Sequence, residues 1–130
     1  MDDEVIAWLL EGDPGIRWQV LQDLLDAPED AVVAERARVE HEGFGAALLA
    51  ARGDDGLWAG GAWAPAGWSW ELGEPQAWTS TSWVLESLCD LGMPADAPVM
   101  AETVELIARN GRWEYDDLPF WQGEVDSCIN

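Results

Sequence analysis

Tryptophans dominate one stretch of the chain, and the indole has a definite binding chemistry. Six of the ten tryptophans fall within residues 58–83. Residues 53–78, the Trp-rich loop, also hold six glycines and two prolines and show no helical or strand period. A loop of this length is usually functional, and indole faces bind cations and flat rings. We predict that the loop binds a hydrophobic, aromatic or cationic small molecule through six residues: Trp63, Trp68, Trp70, Trp78, Glu71 and Glu74.

The structural alternative is that these indoles only cover the open end of a small helical domain. Trp58, at the repeated turn, and Trp83, on the helix after the loop, are assigned to the core. The sequence leaves both interpretations open. A core rarely needs this many indoles, because each buried N–H group needs a hydrogen-bond partner.

Acidic residues outnumber basic ones by a wide margin. The chain has 26 acidic residues against six arginines and no lysine, which gives a formal net charge of −20. This field repels phosphate, so we expect neither nucleic acid nor an anionic membrane as a partner. The longest apolar runs are too short to span a bilayer, and the acidic start differs from the positively charged start of a signal peptide. We therefore expect a cytoplasmic protein.

The hydrophobic pattern predicts an all-α chain of one domain, residues 1–130, with N-terminal helices in 1–42 and further helical hairpins in 43–130. Asp13-Pro14 predicts a helix start, and Thr79 or Ser80 is predicted to cap a helix that ends at Gly92. Asp96 is predicted to cap the next helix, and a last helix is predicted to begin near Glu124. The helix after Asp96 should bury one apolar face: Val99, Met100, Val104 and Ile107.

Two turn sequences repeat at a spacing of 55 residues. Asp55-Gly56-Leu57-Trp58 and Asn110-Gly111-Arg112-Trp113 each follow a predicted helix. One helical hairpin with its loops fits that spacing. A chance match over four positions is the alternative.

The first of these turns carries a resemblance to a known family. Leu48-Leu49, followed by Asp55-Gly56-Leu57-Trp58-Ala59-Gly60-Gly61, resembles the repeat of squalene and terpene cyclases and of protein prenyltransferase β subunits. Residues 79–92 and 123–128 resemble the inner helices of such repeats. Members of the family are α/α toroids, rings of inner and outer helices around an aromatic-lined cavity that holds isoprenoids. The resemblance, which covers residues 43–130, implies an incomplete toroid of about three hairpins where a complete one has five or six.

The resemblance also implies a candidate for acid catalysis. Glu114-Tyr115-Asp116-Asp117 resembles the Asp-x-Asp-Asp general acid of class II terpene cyclases, with Glu in the first place. Glu114, Asp116 and Asp117 are thus the candidates for protonating an alkene, because clustered carboxylates can keep a raised pKa. Carboxylates clustered in a loop are otherwise simply solvated.

A second implied chemistry is zinc binding. Asp126-Ser127-Cys128 resembles the Asp-x-Cys zinc pair of protein prenyltransferases. The family's third protein ligand is a histidine further along, whereas His41, the only histidine here, precedes the pair. Acids at 124 and 126 also suit a helix N-terminus. We predict no cofactor, with zinc at Asp126 and Cys128 as the alternative.

Two functions remain. One is a binding protein that holds, or sequesters, a small molecule in the Trp-rich loop. The other is an isoprenoid cyclase or prenyltransferase-like enzyme, or a subunit of one. The lack of a complete catalytic set favours the first. An incomplete toroid would leave an apolar surface uncovered around Trp83, Leu88 and Val125, so we expect a homo-oligomer or a partner chain that completes the ring.

The charge imbalance predicts how stability depends on pH. Self-repulsion among 26 acidic residues destabilises the folded chain near neutral pH. Acidification towards the pI of about 4.1 relieves this repulsion before specific ion pairs are lost. We predict a higher melting temperature at about pH 5.5 than at about pH 8 in low salt, with a smaller difference as salt is added. A melting temperature that falls steadily over that acidification would contradict the prediction.

Overall fold

Helices form where capping residues and apolar periodicity coincide in the sequence. The computed structural model describes residues 2–69, 71, 76–114 and 117–122. In this part of the chain the only β-pairing is two isolated bridges, so the all-α prediction is confirmed. The last predicted helix, near Glu124, lies outside the described residues. The α-helices are α1 (Asp3–Leu10), α2 (Pro14–Gln19), α3 (Glu29–Ala37), α4 (Gly43–Ala50), α5 (Thr81–Asp90) and α6 (Pro98–Asn110).

Shorter helical turns extend or join these helices. A π-helix, Val20–Leu24, directly continues α2, and three 3-10 turns span Arg38–Glu40, Ala77–Thr79 and Phe120–Gln122. No described helix is long and apolar enough to cross a membrane.

The chain divides into two units. The first unit comprises Met1–Ala51 and Glu86–Ala97, and the second comprises Arg52–Leu85 and Pro98–Asn130. Helix α5 therefore contributes residues to both.

In the first unit, one carboxylate organises two helix starts. Asp13 Oδ1 accepts a hydrogen bond of 2.8 Å from the Gly15 amide at the start of α2. Asp13 Oδ2 accepts one of 2.7 Å from the Phe44 amide at the start of α4. Gly43 has a φ of +63°, and a Cβ there would overlap Asp13 Oδ2. The predicted start at Asp13-Pro14 is confirmed, and its cap also fixes α4.

Trp18 and Arg36 hold the residues at the C-terminal end of α5 in the first unit. The indole Nε1 of Trp18 donates to Leu91 O over 2.8 Å. The Arg36 guanidinium lies 5.3 Å from the Trp18 ring centroid and donates to Gly92 O over 2.6 Å. These contacts bind the C-terminal end of α5, where Gly92 adopts a φ of +86°. The predicted helix end at Gly92 is confirmed.

Ion pairs join α2 to α3 and the residues after it. Arg17 contacts Glu35 at 2.5 Å and Glu42 at 3.5 Å, and Arg38 contacts Glu42 at 2.9 Å. The hydrogen bond from Arg38 holds the pKa of the Glu42 carboxyl below its usual value. This pair stabilises the fold above the unfolded-state pKa and is lost only as pH falls through the lowered one. It therefore remains intact over the mildly acidic range in which charge repulsion is relieved.

In the second unit, α6 buries a face that differs from the predicted one. Thr103 and Ile107 are fully buried, whereas Val104 is 46% exposed, so the prediction was wrong for Val104. Arg52 explains the choice of Thr103, because its guanidinium donates to the Thr103 hydroxyl and to Glu102 Oε2, the latter at 2.8 Å. The helix also begins at Pro98, two residues after the predicted cap at Asp96.

The double role of Asp13 can be tested by mutation. Asp13→Ala removes the acceptor of two amides and should cost about 2–3 kcal/mol of unfolding free energy, while Asp13→Asn should cost about 1 kcal/mol. Asp2 is the matched control, since it caps α1 alone through the Glu4 amide at an exposed site. Asp2→Ala should cost about 0.5 kcal/mol in the same urea titration. An equal loss for Asp2→Ala and Asp13→Ala would contradict the double role.

Candidate functional site

The Trp-rich loop contains a tight turn at residues 58–61. Ala59 and Gly60 both have left-handed backbones, with φ values of 51° and 69°, and the Gly61 amide donates to Trp58 O over 3.3 Å. Two successive positive φ angles are typical of a type I′ turn. Trp58 itself is 2% exposed, in agreement with its assignment to the core. The turn therefore anchors the loop on a buried indole.

The first residue of α5 binds this turn on both sides. Thr81 donates to Gly61 O through its amide, at 3.1 Å, and through its hydroxyl, at 2.6 Å. The same hydroxyl oxygen accepts a hydrogen bond of 3.0 Å from the Trp58 amide. Thr81 is fully buried. Its hydroxyl is thus a donor and an acceptor at once, a combination that few other side chains of this size provide.

The serines on either side of Thr81 hold the next two loop carbonyls. Ser82 donates to Ala62 O through its amide and its hydroxyl, each at 2.9 Å. The Ser80 hydroxyl, fully buried, donates to Trp63 O at 2.5 Å. Since the first amides of a helix have no partner inside it, the carbonyls of Gly61 and Ala62 satisfy the start of α5.

Glu114 holds the same segment through its amides. Its Oε1 atom accepts hydrogen bonds from Trp63 N at 2.9 Å and from Ala64 N at 3.2 Å. A Cβ on Gly61 would overlap Ala64 O and lie 2.9 Å from this carboxylate oxygen. Residues 61–64 are thus clamped between the start of α5 and Glu114, and glycine is required at the point of closest approach.

The loop contains a second turn, at residues 65–68. The Trp68 amide donates to Pro65 O at 3.0 Å, and the Ala66 amide donates to Ala59 O at 2.9 Å. Gly67 has a φ of +75°, as the third residue of a type II turn requires. The segment therefore folds back on the first turn instead of extending away from it.

These two turns enclose a cavity of about 460 Å³. Two of the predicted tryptophans line it together with one acid and one arginine. The Trp63 ring also packs on Trp83, with ring centroids 4.6 Å apart, and Trp83 Nε1 donates to Trp63 O over 3.1 Å. The lining residues are Gly60, Gly61, Trp63, Ala64, Pro65, Ala66, Gly67, Trp68, Arg112 and Glu114.

Of the other residues predicted for binding, the structure describes Trp78 and Glu71, and both lie outside this cavity. Trp78 is 63% exposed in the 3-10 turn before α5. Glu71 is exposed, and its amide donates to Ser69 Oγ over 3.3 Å. Neither lines the cavity. Trp70 and Glu74 lie outside the described residues.

Of the residues predicted for catalysis and metal binding, the structure describes only Glu114 and Asp117. Glu114 lines the cavity, while Asp117 is exposed and has a left-handed φ of 59°. Asp116, Asp126 and Cys128 lie outside the described residues. In the part of the chain that the structure describes, no three His, Cys, Asp or Glu side chains are grouped as metal ligands.

Arg112 is the cavity residue that the sequence pattern does not reveal. Pairing with an acid on a neighbouring helix is the expectation for this arginine, but its guanidinium donates to Gly111 O at 2.8 Å and to Arg109 O at 3.4 Å. The sequence signal that could have placed Arg112 near the loop is the second Asx-Gly turn, which contains it. Asn110 Nδ2 donates to Asp55 O over 2.8 Å, which joins the two repeated turns and brings the Arg112–Glu114 segment to the loop.

The two repeated turns nevertheless differ in local geometry. Gly56 has a φ of +86°, and a Cβ there would overlap Leu106 Cβ. Gly111 is not left-handed but is crowded, because a Cβ added there would lie 2.7 Å from Ile107 O. Trp58 is buried, whereas Trp113 stacks on Phe120 with ring centroids 4.9 Å apart. An internal repeat therefore stays a prediction.

Comparison with known proteins gives no further assignment. No protein-family model matches the chain. Neither curated proteins nor solved structures give a significant match. The resemblance to cyclases and prenyltransferases thus rests on the residues quoted for it.

The clamp predicts different effects for two substitutions at Glu114. Glu114→Ala leaves the amides of Trp63 and Ala64 without their acceptor. Because Glu114 is exposed, water can replace it in part, so the substitution should cost about 0.5–1.5 kcal/mol and speed hydrogen exchange at both amides. Glu114→Gln keeps a carbonyl acceptor and should retain most of the protection. Glu105→Ala, an exposed site on α6, is the control and should change neither quantity. Unchanged exchange at the two amides in Glu114→Ala would show that the carboxylate does not hold the loop.

Proposed function

We propose that the protein binds a small molecule with a flat apolar body and a positive charge, in the cavity between Trp63 and Trp68. Sequestration of such a compound is the simplest use of this site. The observation that carries the proposal is the convergence of two indoles and a carboxylate on one cavity whose backbone is clamped.

The size and the walls of the cavity support a small organic ligand. A volume of about 460 Å³ falls within the range of small-molecule sites. Pro65, Ala64 and Ala66 add apolar surface beside the two indoles. Because Gly60 and Gly67 carry no side chain, a flat ring can approach the backbone closely.

Electrostatics favour a cation at one end of the ligand. The net charge of −20 attracts cations over long range, and indole faces attract them at contact. The Glu114 carboxylate provides a local negative charge. Arg112 opposes a bare cation, but its planar guanidinium can stack on an aromatic ring. A molecule with a flat part over Arg112 and a cationic part near Glu114 satisfies both side chains.

The family resemblance supports a wider version of the proposal. In it, the helices follow the plan of an incomplete α/α toroid, and a second copy or another chain completes the ring. The expected uncovered surface is only partly present, since Leu88 is fully buried and Trp83 is half-buried. Val125 lies outside the described residues. Oligomerisation, a cytoplasmic location and the absence of nucleic-acid partners stay predictions.

The enzyme alternative has less support from the described residues. A general acid must keep a proton to give to the substrate. Glu114 Oε1 instead accepts hydrogen bonds from the amides of Trp63 and Ala64, and Asp117, the other described candidate, does not line the cavity. An isoprenoid cyclase or prenyltransferase-like activity, with zinc as an alternative cofactor, therefore takes second place to binding.

Calorimetric titration with N-methylquinolinium, a flat aromatic cation, tests the proposal. Trp68→Ala should weaken binding by about 1–3 kcal/mol, or roughly 5- to 150-fold, with little loss of stability. Trp58→Ala should instead cost about 3–5 kcal/mol of unfolding free energy, because it empties a buried site. Glu114→Gln should reduce the preference for the cation over neutral 2-methylnaphthalene, because the net charge and the indole faces still favour the cation.

Trp78→Ala is the matched control, since its indole is exposed and outside the cavity. Equal weakening by Trp68→Ala and Trp78→Ala would contradict the proposed site. Tight binding of farnesyl diphosphate without binding of N-methylquinolinium would favour the enzyme alternative.

A further inference from the structure

Helix α1 carries an apolar groove that the described residues leave open. Trp8 is 69% exposed, and Val5 and Ile16 are 44% and 42% exposed. A separate cavity of about 400 Å³ lies here, within the first unit. Its lining residues are Trp8, Leu9, Glu11, Gly12 and Ile16. Exposed apolar residues that adjoin one another, unlike a single exposed residue, mark an interaction surface.

The groove follows the helix in a regular register. Val5, Trp8 and Gly12 are spaced three and four residues apart, so they lie along one stripe of α1 and its C-terminal extension. Ile16 continues the surface onto α2. Gly12, which has no side chain, is one of the residues that line the cavity. An apolar stripe with this spacing suits a helix that inserts apolar side chains at similar spacing.

The charges around the groove are negative and uncompensated. The first unit contains fifteen acidic residues and three arginines, and α1 has no basic residue. Asp3, Glu4 and Glu11 have no arginine within ion-pair distance among the described residues. An apolar stripe with an acidic rim is complementary to a basic amphipathic helix.

The three arginines of the first unit are committed elsewhere. Arg17 donates to Gly12 O at 2.8 Å beside the groove, but its charge is balanced by Glu35 and Glu42. Arg36 binds Gly92 O and the Trp18 ring. Arg38 pairs with Glu35 and Glu42. None is left to neutralise the acids of α1.

We propose that the α1 groove docks a basic amphipathic helix of a partner protein. Apolar side chains of that helix pack on Trp8 and Ile16, while its lysines or arginines face Glu4 and Glu11. A second copy of this chain fits the acidic rim poorly, because the sequence has only six arginines and no lysine to place against it. An anionic membrane is repelled by the net charge of −20. The proposal is independent of the ligand cavity in the second unit.

A labelled model peptide tests the docking directly. The probe is a helix of leucine and lysine, about 14 residues or four turns long, with its leucines on one face. Its fluorescence anisotropy should report binding, and a permuted peptide of the same composition should bind about tenfold more weakly because it lacks an apolar face. Trp8→Ala should weaken the helical peptide about tenfold or more. Trp78→Ala, a similarly exposed indole in the second unit, should have no effect.

Charge reversal provides a second test that keeps the groove itself. The double substitution Glu4→Lys and Glu11→Lys should weaken the leucine/lysine peptide and strengthen a leucine/glutamate peptide of the same pattern. Far-UV circular dichroism of each variant checks that the fold persists. Equal binding of the permuted peptide would overturn the proposal, because it would show attraction by net charge alone. Equal losses in Trp8→Ala and Trp78→Ala would overturn it too.

Two further results would assign the groove to another occupant and so overturn the proposal. One is a dimer in sedimentation that Trp8→Ala dissociates, which would make a second copy the occupant. The other is binding to vesicles of anionic lipid that Trp8→Ala abolishes, which would make a membrane surface the occupant.

Discussion

The clamp on residues 61–64 is the interaction on which the candidate site depends. The carbonyls of this segment accept hydrogen bonds from Ser80, Thr81 and Ser82 at the start of α5. Its amides at Trp63 and Ala64 donate to Glu114. A loop rich in glycine has a large conformational entropy to lose on folding. Polar bonds from both sides offset that loss, and they position Trp63, which belongs to no helix or strand, at the cavity.

The helices were largely predictable because their signals are local. Asp13-Pro14 and Gly92 mark a start and an end through their own conformational preferences, and the structure confirms both. The buried face of α6 shows the limit of such signals. Val104 was predicted inside on hydrophobicity, but Thr103 is buried instead because Arg52, 51 residues earlier, donates to its hydroxyl. Tertiary hydrogen bonding thus overrides the apolar pattern at that position.

The site was only partly predictable, for a related reason. Composition indicated the loop. The residues predicted in it include Trp63 and Trp68, which line the cavity, but also Trp78, which does not. No local period ties these indoles to a face. The position of Trp63 depends on its hydrogen bonds with Ser80 and Glu114, which lie 17 and 51 residues away in the sequence. Arg112 was missed because it enters the site through the bond between Asn110 and Asp55, which joins two turns far apart in sequence. Charge and composition therefore predict a kind of ligand, but they do not identify all the residues that line the cavity.

The most direct test of the cavity follows the indole N–H signals by NMR during titration with N-methylquinolinium. We predict that the Trp63 and Trp68 signals shift in a saturable way, together with the backbone amides of Trp63 and Ala64 that the clamp holds. The exposed indoles of Trp8 and Trp78 should stay in place. Shifts that are largest at Trp8 and Trp78, or that grow without saturation across all the indoles, would contradict a defined site between Trp63 and Trp68.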